Sequence, residues 1–134
     1  MRKRLAVVLT VVGGVVAMGG PLLAHHAAAT YDRNKEVTME GTVKEFRMVN
    51  PHPQILFTVK GPNGPEEWFA ESQSPPYRWW NNGWKANTVK PGDTIKLVGH
   101  PSIEAGRKRI NVERIVAPNG VEYPPKGGRI GPLD

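Results

Sequence analysis

The chain has 134 residues, no cysteine, 18 Lys+Arg against 12 Asp+Glu, and a formal net charge of +6. That length allows one small domain, and the missing cysteines exclude disulfide frameworks, thiolate metal sites, c-type haem attachment and cysteine nucleophiles. The charge is no nucleic-acid signature: without Arg2, Lys3 and Arg4, Lys+Arg falls from 18 to 15 against 12 acids, a net +3 spread along the chain.

"MRKR" is followed by an uncharged apolar run from Leu5 to Ala24. A basic start, an apolar stretch and small residues at its end form the pattern of a secretory signal, expected over 1–24. The alternative is a retained anchor, since the run is about long enough to span a bilayer. Its glycines and Pro21 weaken it as a membrane helix, and no cysteine exists to carry a lipid. Cleavage after Ala24 leaves His25 as the first residue, while cleavage after Ala29 would discard His25 and His26. The expectation is the cut after Ala24, a periplasmic or secreted product, and no membrane span once the signal is gone.

Residues 25–36 read as an extended polar arm. In "VTMEGTVKEF" the apolar residues alternate from Val37 to Val43 and then slip by one, the mark of a bulged strand with Gly41 in its middle. "NPHP" at 50–53 is a loop, because two prolines cannot serve a central ladder. "QILFTVK" is a second strand, Asn63-Gly64 signals a hairpin, and "EEWFAES" is a third strand. Ser74 as cap, Pro75 or Pro76 as opener and Gly83 as terminator predict a short helix over 76–82. A fourth strand runs from Thr94 to Gly99 after the Pro91-Gly92 turn. "RKRINVERIVA" is a fifth, and "VEYPP" a short sixth. The tail from 126 to 134, rich in glycine and proline, is expected to be flexible.

The order strand, strand, strand, helix, strand, strand predicts an all-β domain over 37–125. It is an OB-like barrel of five to six strands, with one short helix between strands three and four. An SH3-like barrel or a sandwich is the competing arrangement.

The chain has four histidines: His25, His26, His52 and His100. His52 lies in the loop after strand one, stiffened by Pro51 and Pro53. His100 lies where strand four runs into the next loop, and in an OB-fold those two loops flank one face. A chain starting at His25 carries an α-amine and an imidazole on one residue, a chelating pair, and His26 adds a second imidazole. Nitrogen donors in a square-planar set favour Cu(II), and imidazole also suits zinc. The expected site is therefore a copper ion on His25, His26 and His52, with His100 as a fourth ligand. The arm enters strand one at the end away from the His52 loop, so it must fold back for these donors to meet. Met39 and Met48 fit the core better than a soft-metal site.

The second candidate surface is aromatic. Tyr77, Trp79, Trp80 and Trp84 cluster at the helix. They serve either as a plug for the barrel end or as a stacking surface for a partner, and Trp79 and Trp80 cannot both face inward. The basic run at 107–109 has no aromatic neighbours, so nucleic acid is not expected. Serine-elbow, zincin and phosphate-loop motifs are absent, and no enzyme activity is expected.

The His-His start, "YD" at 31–32, "GTV" at 41–43, "NPH" at 50–52, "GW" at 83–84 and "KPGD" at 90–93 together resemble a bacterial family of exported domains of unknown function. The most distinctive parts are "NPH" and the paired histidines. This chain has Ala27 where family members commonly have serine. The resemblance implies export, cleavage before His25 and a small β-barrel, and the family brings no settled activity with it. Two functions follow from the residues: a copper-holding binding protein, or a module that binds a peptide, glycan or protein partner through strands two and three and the tryptophan region.

Overall fold

Alternating apolar side chains with turn residues between them produce six strands in the structure, a computed structural model that describes residues 30–124. The expected signal over 1–24, the start of the arm and the tail over 126–134 lie outside the described residues. The strands are β1 Val37–Arg47, β2 Gln54–Gly61, β3 Gly64–Ser72, β4 Thr94–Pro101, β5 Arg109–Val116 and β6 Glu122–Tyr123. One helix, α1 Pro76–Asn81, lies between β3 and β4. The strands are ordered β3-β2-β1-β4-β5-β6, and a parallel pairing of β3 with β5 closes the first five into a barrel. This is the expected all-β, OB-like arrangement, with β6 as an extra strand on β5.

β1 serves both halves of the barrel. Val37 to Thr42 pair with β4, and Thr42 to Arg47 pair with β2. The slip in alternation after Val43 is a register shift between Val43 and Glu45. Gly41 sits at the bend because a Cβ there would lie 2.7 Å from both Phe57 Cδ2 and the Thr58 carbonyl oxygen. The inward positions, Val43, Ile55, Phe57, Ala70, Ile95, Leu97, Ile110, Val112 and Ile115, form the core. Met39 and Met48 pack against it.

The β2–β3 hairpin is tighter than the sequence suggests. Gly61 pairs with Gly64, so only Pro62 and Asn63 lie in the turn and β3 begins two residues before Glu66. Gly64 has φ +120°, a conformation that L side chains rarely adopt. The helix is capped by Pro75 rather than Ser74, whose amide instead donates to Ser72 Oγ. At its far end the Trp84 amide donates to the Trp79 carbonyl, which folds Trp84 back beneath the helix. Trp79 stacks on Tyr123 with ring centroids 4.1 Å apart and meets Trp84 edge-on at 5.0 Å. Phe46 flanks both tryptophans. This aromatic group joins the barrel core.

β4 runs two residues further than expected, through His100 and Pro101. His100 is therefore a strand residue, opposite Asn111 of β5. No helix among the described residues is long and apolar enough to cross a membrane.

Candidate functional site

The four histidines fall into three different situations. His25 and His26 lie outside the described residues. His52 is half-buried in the β1–β2 loop, between exposed Pro51 and buried Pro53. The Pro53 carbonyl accepts from the Ser72 amide at 3.1 Å, which ties this loop to the end of β3. No hydrogen bond or ion pair among the described residues engages the His52 ring.

His100 is buried and fully engaged. Its Nδ1 is 2.9 Å from the Lys35 carbonyl oxygen and its Nε2 is 3.0 Å from Glu113 Oε1. A carbonyl and a carboxylate only accept, so both ring nitrogens must donate, which neutral imidazole cannot do. The Lys35 carbonyl, and then Glu113, hold the imidazolium and raise its pKa, while burial and Arg33 oppose them. No ring lone pair is left for a metal in this arrangement. Among the described residues, no three His, Asp or Glu side chains are grouped to hold an ion.

What His100 holds is the arm. Residues 31–36 continue the line of β1 beside the end of β4. The Asp32 amide donates to the Pro101 carbonyl at 2.9 Å, and Tyr31 bridges to Ser102. Tyr31 is only 4% exposed, and its hydroxyl donates to Glu71 Oε1 at 2.5 Å. Burial first, then this bond, push the Tyr31 phenol above its ordinary range. Glu71 also faces Arg109 at 3.8 Å, and the Arg109 guanidinium lies 4.7 Å over the Phe69 ring. Asn111, between the core residues Ile110 and Val112, points away from the core. It is buried nonetheless, donating to the Glu71 carbonyl at 3.0 Å. Sequence reasoning missed Tyr31. "YD" was visible as a motif, but its partner lies forty positions away. Tyr31→Phe should keep the packing and lose one bond to a carboxylate. The expected cost is about 1 kcal/mol in urea denaturation, because water and Arg109 can still serve Glu71.

The aromatic candidates separate by exposure. Trp79 and Trp84 are buried, Tyr77 is half-buried, and Trp80 is 53% exposed. Any aromatic surface at the helix therefore rests on Trp80, with Tyr77 at its side. A second feature lies on the outer face of β1–β3. There a shallow hollow of about 160 Å³ is lined by Glu45, Arg47, Gln54, Leu56 and Phe69. Val49 in the β1–β2 loop and Ile103 in the β4–β5 loop, the latter 61% exposed, are further apolar residues open to solvent.

Residues 12–111 match a family described as "Family of unknown function (DUF6152)". No curated protein matches the chain. Among solved structures, the ZRD-deleted mutant of TiaS in complex with agmatine is 16% identical with a TM-score of 0.41, over 63% of this chain and 21% of that one. A tRNA fluorescent labeling enzyme is 16% identical with a TM-score of 0.39, over 64% and 18%. The yeast Stn1 and Ten1 structure is 12% identical with a TM-score of 0.39, over 61% and 42%. This chain thus spans about a fifth of the first two and less than half of the third, and likenesses this slight carry no argument.

Proposed function

We propose that this chain, which belongs to the DUF6152 family of unknown function, is an exported, non-enzymatic protein that holds one Cu(II) ion. The donors are the α-amine and imidazole of His25, the imidazole of His26 and the imidazole of His52. Storage, delivery or sensing of the ion is its role, and turnover is not. The observation that carries this reading is the contrast between the two barrel histidines: His52 has an unengaged ring in a proline-stiffened loop, while both nitrogens of His100 are engaged. His100 is accordingly left out of the donor set. An α-amine titrates near 7.7–8.0, so protons compete only mildly for it at neutral pH. The six residues from His25 to Tyr31 can span about 20 Å when extended.

The test is intact mass of the exported protein, native and denatured, after one equivalent of Cu(II). The expected product begins at His25 and retains one copper. His25→Ala, or a blocked N-terminus, should lower affinity by at least about 100-fold, more than the 10–100-fold that losing an outer-shell partner costs. A chain beginning at Thr30, or one beginning at His25 that keeps no copper, overturns the reading. Tighter retention of zinc than of copper would reassign the ion.

A second reading rests on the hollow over Leu56 and Phe69 and on exposed Trp80. In it, a peptide, glycan or protein partner binds the outer face and the histidines are incidental. Its mark is binding that survives His25→Ala and is lost on Trp80→Ala or Leu56→Ser.

A further inference from the structure

His100 is the buried histidine that the copper reading leaves unused, and its surroundings are specific. The arm supplies the Lys35 carbonyl to Nδ1, and β5 supplies the Glu113 carboxylate to Nε2. Arg33, from the arm, lies 4.0 Å from the same Glu113 oxygen. Asn111, opposite His100 on β5, is buried and uncharged. The ring thus joins three pieces of backbone, the arm, β4 and β5, through two bonds that both require it to donate. We propose that His100 is a protonation-controlled latch: with two ring N–H groups it holds residues 31–36 against the barrel, and with one it releases them. The Lys35 contact is the bond most open to loss. The Glu113 carboxylate is the stronger acceptor of the two, so it keeps the remaining proton on Nε2, and Nδ1 then turns a lone pair toward the Lys35 carbonyl oxygen. Two acceptors facing each other at hydrogen-bond distance repel. The arm is the side that yields, because β4 is fixed by ladders to β1 and β5 while the arm is held by separate contacts at Tyr31, Asp32 and Arg33.

The sign follows from linkage. A histidine whose pKa is higher in the folded than in the unfolded protein contributes stability that is fully present below about 6.5 and is lost as pH rises through the folded value. The folded value is raised here, by the Lys35 carbonyl above all. The arm is therefore clamped in mildly acidic solution and loosens as pH rises past the raised His100 value. Release would detach the whole of 31–36, the residues that lead into β1, from the end of β4. The latch does not depend on copper, and its failure leaves the donor set above untouched.

The experiment is amide hydrogen exchange on the full exported protein without metal, read as protection factors between pH 5 and 9. The reporter is the Asp32 amide, which donates to Pro101 across the arm–β4 seam. The expected result is a fall of about tenfold or more in its protection as pH rises from 5 to 9, while amides in β1 and β2 stay constant. His100→Gln should show low Asp32 protection at every pH, with circular dichroism reporting an intact barrel. Glu113→Gln should move the transition to lower pH. Asp32 protection that is flat from pH 5 to 9 in the natural protein overturns the latch. So does a transition that persists unchanged in His100→Gln.

Discussion

Trp79→Ala is expected to cost about 3–5 kcal/mol in urea denaturation. That is a large part of the 5–15 kcal/mol that holds a small domain together. The side chain is 1% exposed and lies between Tyr123, stacked on it at 4.1 Å and 16°, and Trp84, edge-on at 5.0 Å and 84°. Removing it opens a cavity bounded by Phe46, Trp84 and Tyr123, three rigid rings that cannot fill the space by changing rotamer. Tyr123 would suffer most, because β6 has only two residues and pairs with β5 through Ile115 and Val116 alone. Trp79→Phe should cost much less. It keeps a stacking ring and removes an indole N–H that is buried without a partner among the described residues. Trp80→Ala, one residue along and 53% exposed, should change stability by no more than about 0.5 kcal/mol. A loss below about 1 kcal/mol for Trp79→Ala would show that the helix is not part of the cooperative core.

Helical geometry explains why only half of this was legible in the sequence. Adjacent residues on a helix point about 100° apart, so one of Trp79 and Trp80 had to face outward. Which one faces inward is decided by Trp84, which returns beneath the helix, and by Tyr123, which arrives from the other end of the chain. The strands were easier. Their alternation, the slip after Val43, the turn residues around Asn63 and Pro91-Gly92, and a helix opening at a proline are all local signals, and they give the barrel order. The arm gives no such signal. "TYDRNKE" is polar and without period, and its order comes from Glu71 and His100, forty and sixty-five positions away. The same distance separates the two barrel histidines in kind. His52 and His100 each precede a proline in a strand-end sequence, and nothing local distinguishes a free ring from an engaged one. Glu113 and the Lys35 carbonyl make that distinction, and both are brought to His100 by the fold.

Gly99→Ala is expected to cost about 3 kcal/mol or more, beyond the usual range for one added methyl group. A Cβ at Gly99 would fall on the Asn111 carbonyl oxygen, 2.9 Å from its carbonyl carbon and 3.1 Å from Val112 Cα. Every one of these atoms is backbone, so no side chain can swing aside. β5 cannot retreat either. On its other edge Phe69 to Ser72 pair with it, and Asn111 holds the Glu71 carbonyl through its side chain. The strand must shift as a whole or leave the β4 ladder, and β3–β5 is the pairing that closes the barrel. Gly64→Ala is the comparison. Its φ of +120° carries a conformational penalty of about 1–2 kcal/mol, but nothing lies within 4 Å of the new atom. The two variants therefore separate steric contact from backbone strain in one fold. Gly99→Ala should also lower Asp32 protection at pH 5, where the latch is closed, because Asn111 stands opposite His100 and its displacement pulls Glu113 out of reach. Equal costs for the two glycines, with Asp32 protection unchanged, would mean that the β4–β5 seam yields without disturbing the arm.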